Sequence, residues 1–120
     1  MANKNTTSAN SVPSKKFRIT ARYIFLTFPR SPSEEPINAL INRILTHEKR
    51  LEPTFVRFAR EAHSDGCLHH HVLLCFPKRL DTTSPSRFDY IFNDEFHANI
   101  QPARSLASSL AYLEKAQYQD

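Results

Sequence analysis

Glycine is almost absent from this 120-residue chain, which holds a single one, Gly66, and tryptophan is missing altogether. Two cysteines, Cys67 and Cys75, are too few for a disulfide-stapled secreted scaffold. They also lack a C-x-x-C spacing, so they read as free thiols in a reducing compartment. No apolar run approaches the roughly 20 residues that cross a bilayer, and the N-terminus is polar where a signal peptide is apolar. The reading is therefore a soluble, intracellular protein with no membrane partner. Its length fits one small domain able to bury a core without a disulfide framework. Acid is missing from the first 18 residues, where Lys4, Lys15, Lys16 and Arg18 stand. Those four account for the whole formal charge of +4, and the rest of the chain sums to zero. Residues 1–16, with few apolar side chains and no period, form a basic arm. It suits either an anionic partner or simple solubility.

What the chain does hold is periodic. Phe17 to Phe28, rich in β-branched and aromatic residues and closed by Pro29, reads as a central strand. A Ser cap, Glu34, Glu35 and Pro36 then open a helix in which Ile37, Leu40, Ile41, Ile44 and Leu45 form one apolar stripe, ending near Leu51. Thr54–His63 and Leu68–Phe76 read as two strands joined through Asp65-Gly66, a hairpin signal. Residues 77–99 read as a long loop with a short strand at Arg87–Tyr90, and Asn99–Gln101 as a further strand. Pro102 opens a second helix. The order β, α, β, β, loop, α predicts a single α+β domain over 17–120, with about five antiparallel strands and the helices on one face.

Three of the six histidines are consecutive. Strand alternation puts His69 and His71 on one face with Leu73 and Cys75, and His70 on the other with Val72 and Leu74. On the preceding strand Arg57, Ala59, Glu61 and His63 share a face. Pairing symmetric about Gly66 sets Glu61 opposite His71 and His63 opposite His69, close enough for two imidazoles and a carboxylate to meet on one ion. Three ligands with open positions describe a catalytic metal site, whereas a structural zinc finger has four, usually thiolates. His63 is either a fourth ligand or a group bonded to one, and His70 is expected to pack or hydrogen-bond beneath the sheet. On the last helix Leu106, Leu110 and Leu113 make the core stripe. Tyr112 and Lys115 share the outward side, where an ammonium beside a phenol favours phenolate.

These pieces resemble a known family. Phe25-Leu26-Thr27-Phe28-Pro29, Arg60-Glu61-Ala62-His63 leading to His69-His70-His71-Val72-Leu73, Ser86-Arg87-Phe88 through Phe96 to Gln101, and Tyr112-Leu113-Glu114-Lys115 stand in the order of the motifs of HUH endonuclease domains. Within the rolling-circle replication initiators, the chain is similar to the Rep proteins of geminiviruses, especially the mastrevirus type, over about residues 17–118. The resemblance implies a ferredoxin-like or RRM-like fold and a metal-dependent nickase and strand transferase. Such an enzyme cuts single-stranded DNA at a viral origin stem-loop, in the host nucleus, through a 5′-phosphotyrosine. It implies Mg²⁺ or Mn²⁺ on Glu61, His69 and His71, with Tyr112 as nucleophile assisted by Lys115. It also implies a DNA-contacting set of Phe25, Thr27, Phe28, Arg57, Arg87, Phe88, Asn99 and Gln101. Unwinding and oligomerisation belong to a helicase domain that follows in the family, so this domain is expected to be a monomer. Three positions depart from the pattern. His70 stands where the middle residue is usually apolar, Ala116 where an acid often follows the lysine, and Phe28 where tyrosine is common. The alternative is a non-catalytic single-stranded nucleic-acid binding module with an RRM-like sheet, although the Gly-bearing aromatic signature of those domains is missing.

Overall fold

The computed structural model describes residues 16–31, 34–62 and 68–117. The basic arm apart from Lys16, the expected cap Ser33 and the hairpin turn with His63, Gly66 and Cys67 lie outside them. The elements are β1 (Ile19–Phe28), α1 (Ile37–His47), β2 (Phe55–Ala62), β3 (Leu68–Thr82), β4 (Asn99–Pro102) and α2 (Leu106–Gln117), with 3₁₀ turns at Lys49–Leu51 and Asp89–Phe92. All pairings are antiparallel, in the order β2-β3-β1-β4, so β1 is a central strand as its composition predicts. The α+β class is the expected one. Four strands are found among the described residues rather than about five. Arg87–Tyr90 is not a strand because Phe88, Ile91 and Phe92 recur at helical spacing and are all buried, and the chain turns there as a 3₁₀ helix.

The helices lie on opposite faces of the sheet, a correction to the one-sided packing expected from the element order. Leu40 and Ile44 of α1 join Ile24, Leu26, Val72, Leu74 and Phe76 in the larger core. Leu113 of α2, flanked by Leu106 and Leu110, packs with Ala59, Leu73 and Cys75 on the other side. The physical sign is in β3, where Val72 through Phe76 is apolar at every position, as a strand covered on both faces must be. The α1 stripe holds except at its end, where Leu45 is left exposed. At the other helix Pro102 ends β4. The true cap is Ser105, whose Oγ accepts the Ser108 amide at 3.2 Å.

With glycine so scarce, left-handed backbone falls to other residues. Asn93 (φ 58) and Asp94 (φ 63) close the 3₁₀ turn, and Glu52 (φ 50) ends the earlier one. Asn and Asp tolerate this region through their short polar side chains. Cys75 is buried among the α2-side apolar residues, and burial raises its thiol to about 11. Peptide mapping after treatment of the native protein with iodoacetamide at pH 8 should therefore find Cys75 unmodified, and unfolding in guanidinium should make it reactive. Alkylation of Cys75 in the native state would contradict this packing.

Candidate active site

The site is built on the α2-facing side of β3. Alternation there is as the sequence predicts, with His71 on this side and His70 on the core side. The β2–β3 register is not. Glu61 lies opposite His69, and His71 is opposite Ala59, a shift of two residues that keeps each side chain on its face. The shift sets Arg60 opposite His70, where the Arg60 Nε–H donates to His70 Nε2 at 3.2 Å. Because that nitrogen accepts, the proton of the neutral ring is on Nδ1, which donates to Ser31 Oγ at 2.6 Å, while the Ser31 hydroxyl donates to the Phe28 carbonyl. Burial first, then the Arg60 charge, pushes His70 down to about 4. The polar residue in an apolar position is thus a fully satisfied tie joining β2, β3 and the chain leaving β1. It spans the observed register, in which Arg60 stands opposite His70.

Above it, Ala59 offers only a methyl opposite His71, and Glu61 leans across that gap. Glu61 Oε1 accepts from His71 Nε2 at 2.9 Å, and Thr27 Oγ1 stands 3.5 Å from His71 Nδ1. His71 is 4% exposed and oriented from both nitrogens. The Tyr112 ring stands edge-on to His71, with centroids 5.1 Å apart and planes at 87°, and edge-on to Phe25 at 5.9 Å. Half of Tyr112 remains exposed. Phe25, Thr27, His71, Gln101, Ser108, Ser109 and Tyr112 line an open cleft of about 380 Å³. The helix thus carries its off-stripe tyrosine to the edge of the packed face, directly over the histidine strand. Partial burial, and secondarily the Glu61 charge, raise the phenol above its ordinary value. The phenolate-favouring influence expected of Lys115 is not what sets that shift, and Lys115 is exposed on the last turn of α2.

Whether these donors suit a divalent ion can be judged from Glu61 and His71. Adjacent ligands on an octahedral ion with bonds of about 2.1 Å stand about 3 Å apart, and the observed Oε1–Nε2 separation is 2.9 Å. That pair fits. His69 is directly opposite Glu61 on the same face, but among the described residues no three such side chains already converge as a ready-made cluster.

The model of the geminivirus Rep catalytic domain matches residues 17–119. The chain belongs to this family. The replication-associated protein A of Chloris striate mosaic virus is 38% identical over 103 residues, which are 84% of this chain and 32% of that protein. The replication-associated protein of Tobacco yellow dwarf virus (strain Australia) is 38% identical over 102 residues, 84% of this chain and 28% of its own length. That of Bean yellow dwarf virus is 36% identical over 105 residues, 85% and 29%. All three are mastrevirus proteins. The chain spans about a third of these curated relatives or less.

The fold separates the residues expected on DNA. Phe25, Thr27 and Gln101 line the Tyr112 cleft, and Asn99 is exposed on the neighbouring edge strand. Arg57 is exposed over the Phe55 ring, in a second cleft on the other flank of α2 with Leu110, Leu113 and Glu114. Phe28 and Phe88 are fully buried in the α1-side core and present no face for a base, a correction to their expected role. Alternation already dictates this for Phe28, which falls on the same side as Ile24 and Leu26. Arg87 donates to Glu48 Oε1 at 2.7 Å, and Tyr90 donates to Glu48 Oε2 at 2.8 Å. Glu48 is only 2% exposed, so Arg87 serves the fold by neutralising it. Burial, then Glu48, pushes the Tyr90 phenol far above its ordinary value, and His47 stacks on its ring. The contacts that Ala59, Ser31, Arg60 and Glu48 make carry no sequence signal, because they arise from partners distant in the chain.

Proposed function

We propose that this domain nicks and rejoins single-stranded DNA at a viral replication origin by a divalent-metal-dependent attack of Tyr112 on phosphorus, initiating rolling-circle replication in the host nucleus. The observation that carries the reading is the Tyr112 phenol standing over His71, whose Nε2 is already shared with Glu61. Glu61 and His71, with His69 beside them, would hold Mg²⁺ or Mn²⁺. When bound, the ion supplies positive charge that polarises a scissile phosphate and offsets the Glu61 field on the phenol.

The chain's own groups do the rest. Phe25 and His71 fix the ring of Tyr112, and Thr27 and Glu61 fix His71, so the nucleophile needs little reorganisation. The Tyr112 oxygen, its proton released to solvent, forms a bond to phosphorus as the bond to the 3′ oxygen breaks. The 3′ oxygen takes a proton and leaves as a hydroxyl, and the 5′ side stays on Tyr112. One diester replaces another, so the step is nearly balanced in free energy and runs backwards as ligation. The stem-loop substrate, the monomeric state and the assistance of Lys115 belong to the same reading.

A labelled single-stranded origin oligonucleotide incubated with the protein and Mn²⁺ should yield label that migrates with the protein under denaturing conditions, and EDTA should abolish it. Adduct formed equally in EDTA overturns the metal role. Strand binding with no cleavage at all favours the binding-module alternative.

A further inference from the structure

We propose that Ser84 is a phosphorylation site for a proline-directed serine/threonine kinase, and that the added phosphate weakens binding of the DNA strand. The chain holds two Ser-Pro steps, Ser31-Pro32 and Ser84-Pro85, and no Thr-Pro. The fold distinguishes them. Ser31 is fully buried, with its hydroxyl committed to Phe28 and His70. Thr83 through Ser86 are four consecutive exposed residues between the buried Thr82 and Phe88. The Ser84 amide is held by Thr82 Oγ1 at 3.2 Å, and among the described residues its hydroxyl reaches only the exposed Ser86 hydroxyl, also at 3.2 Å. The acceptor oxygen is therefore presented on the outside of a short turn.

The kinase class follows from the neighbours. Proline after the acceptor suits an apolar pocket that would leave another residue's amide unpaired. Arg87, three residues after Ser84, is a cation that some such kinases read, but it is tied to the buried Glu48. Removing a partner from a buried pair is far more costly than the gain from an exposed one. The structure therefore points to an enzyme that selects proline alone, of the mitogen-activated type. In the transfer the Ser84 oxygen bonds to the γ-phosphorus of ATP as the bond to ADP breaks, and the hydroxyl proton is released.

By the same comparison the phosphate does not draw Arg87 from Glu48 and leaves the fold intact. Its effect is electrostatic. Pro85 shares a cavity of about 290 Å³ with His97, Asn99 and Gln101, and Gln101 also lines the Tyr112 cleft. A charge of roughly −1.5 to −2 on Ser84, the residue next to Pro85 at the rim of that cavity's lining, repels a phosphodiester backbone that approaches Asn99 and Gln101. This consequence rests on the DNA reading proposed above, whereas the site itself does not.

The test is incubation of the whole chain with a mitogen-activated-type kinase and ATP, followed by peptide mapping. One phosphate on Ser84 is expected, none on Ser31, and at least tenfold less incorporation in Pro85→Ala, whose own melting curve checks its folding. No phosphate on Ser84, equal labelling of Ser31, or an unaffected Pro85→Ala overturns the site. The phosphorylated protein should melt within about 2 °C of the unmodified one and bind a single-stranded oligonucleotide about tenfold more weakly at low salt, a difference that shrinks as salt is raised. Equal affinity in both states overturns the regulation. No binding in either state removes that consequence together with the proposed function, while a mapped phosphoserine still stands.

Discussion

Tyr112→Phe should abolish covalent capture of DNA and lower strand cleavage by on the order of a thousandfold or more, since it removes the oxygen proposed to attack phosphorus. The ring contacts with His71 and Phe25 are edge-on and need no hydroxyl, so the variant should melt close to the wild type. It should also bind the oligonucleotide as the wild type does. That combination separates a lost nucleophile from a lost fold. A Phe variant that still cleaves at more than a few per cent of the wild-type rate would remove Tyr112 from the chemistry.

The second large effect concerns stability. Arg87→Ala should cost about 3 kcal/mol, the low end for breaking a buried ion pair, because Arg87 is partly exposed and Tyr90 still donates to Glu48. For a domain of this size that lowers the melting temperature by on the order of 10 °C. Arg87 Nε is itself buried without a hydrogen-bond partner among the described residues, which trims the net value of the pair. Adding Glu48→Gln removes the uncompensated charge while keeping an acceptor for Tyr90, and the double variant should recover most of the loss. If Arg87→Ala instead melts normally and only loses DNA affinity, Arg87 acts at the interface and the ion pair has little structural weight.

These outcomes depend on features of unequal visibility in the sequence. Alternation along β3 sorts His69 and His71 from His70, and the Leu106, Leu110 and Leu113 stripe leaves Tyr112 off the core. Both are local periodicities, legible because side-chain direction follows from backbone repeat alone. Register is not local. The shift that sets Glu61 opposite His69 is tied to Arg60 meeting His70, and an Asp-Gly turn does not specify such a pairing. The two-sided packing was legible in principle from the unbroken apolar run Val72–Phe76, yet an element order alone does not say which face a helix covers. The fates of Arg87 and Phe88 were the hardest to read. An arginine beside an aromatic suits a nucleic-acid surface equally well, and only Glu48, 39 residues earlier, shows that this one belongs to the fold. The +4 charge is a poorer guide than the histidines, because of the four residues that carry it Lys4 and Lys15 lie outside the described residues and Arg18 is paired with Asp81.

The central claim is that Tyr112, over the Glu61–His71 pair, becomes the protein–DNA link. The chain has four tyrosines, Tyr23, Tyr90, Tyr112 and Tyr118, so the most direct test is to form the adduct with an origin oligonucleotide and Mn²⁺, digest it, and sequence the nucleotide-bearing peptide by mass spectrometry. The modification should lie on Tyr112, with phosphorus joined to the 5′ side of the cut and a free hydroxyl on the 3′ fragment. A link through any other residue, or cleavage leaving a 3′ phosphate, would contradict it.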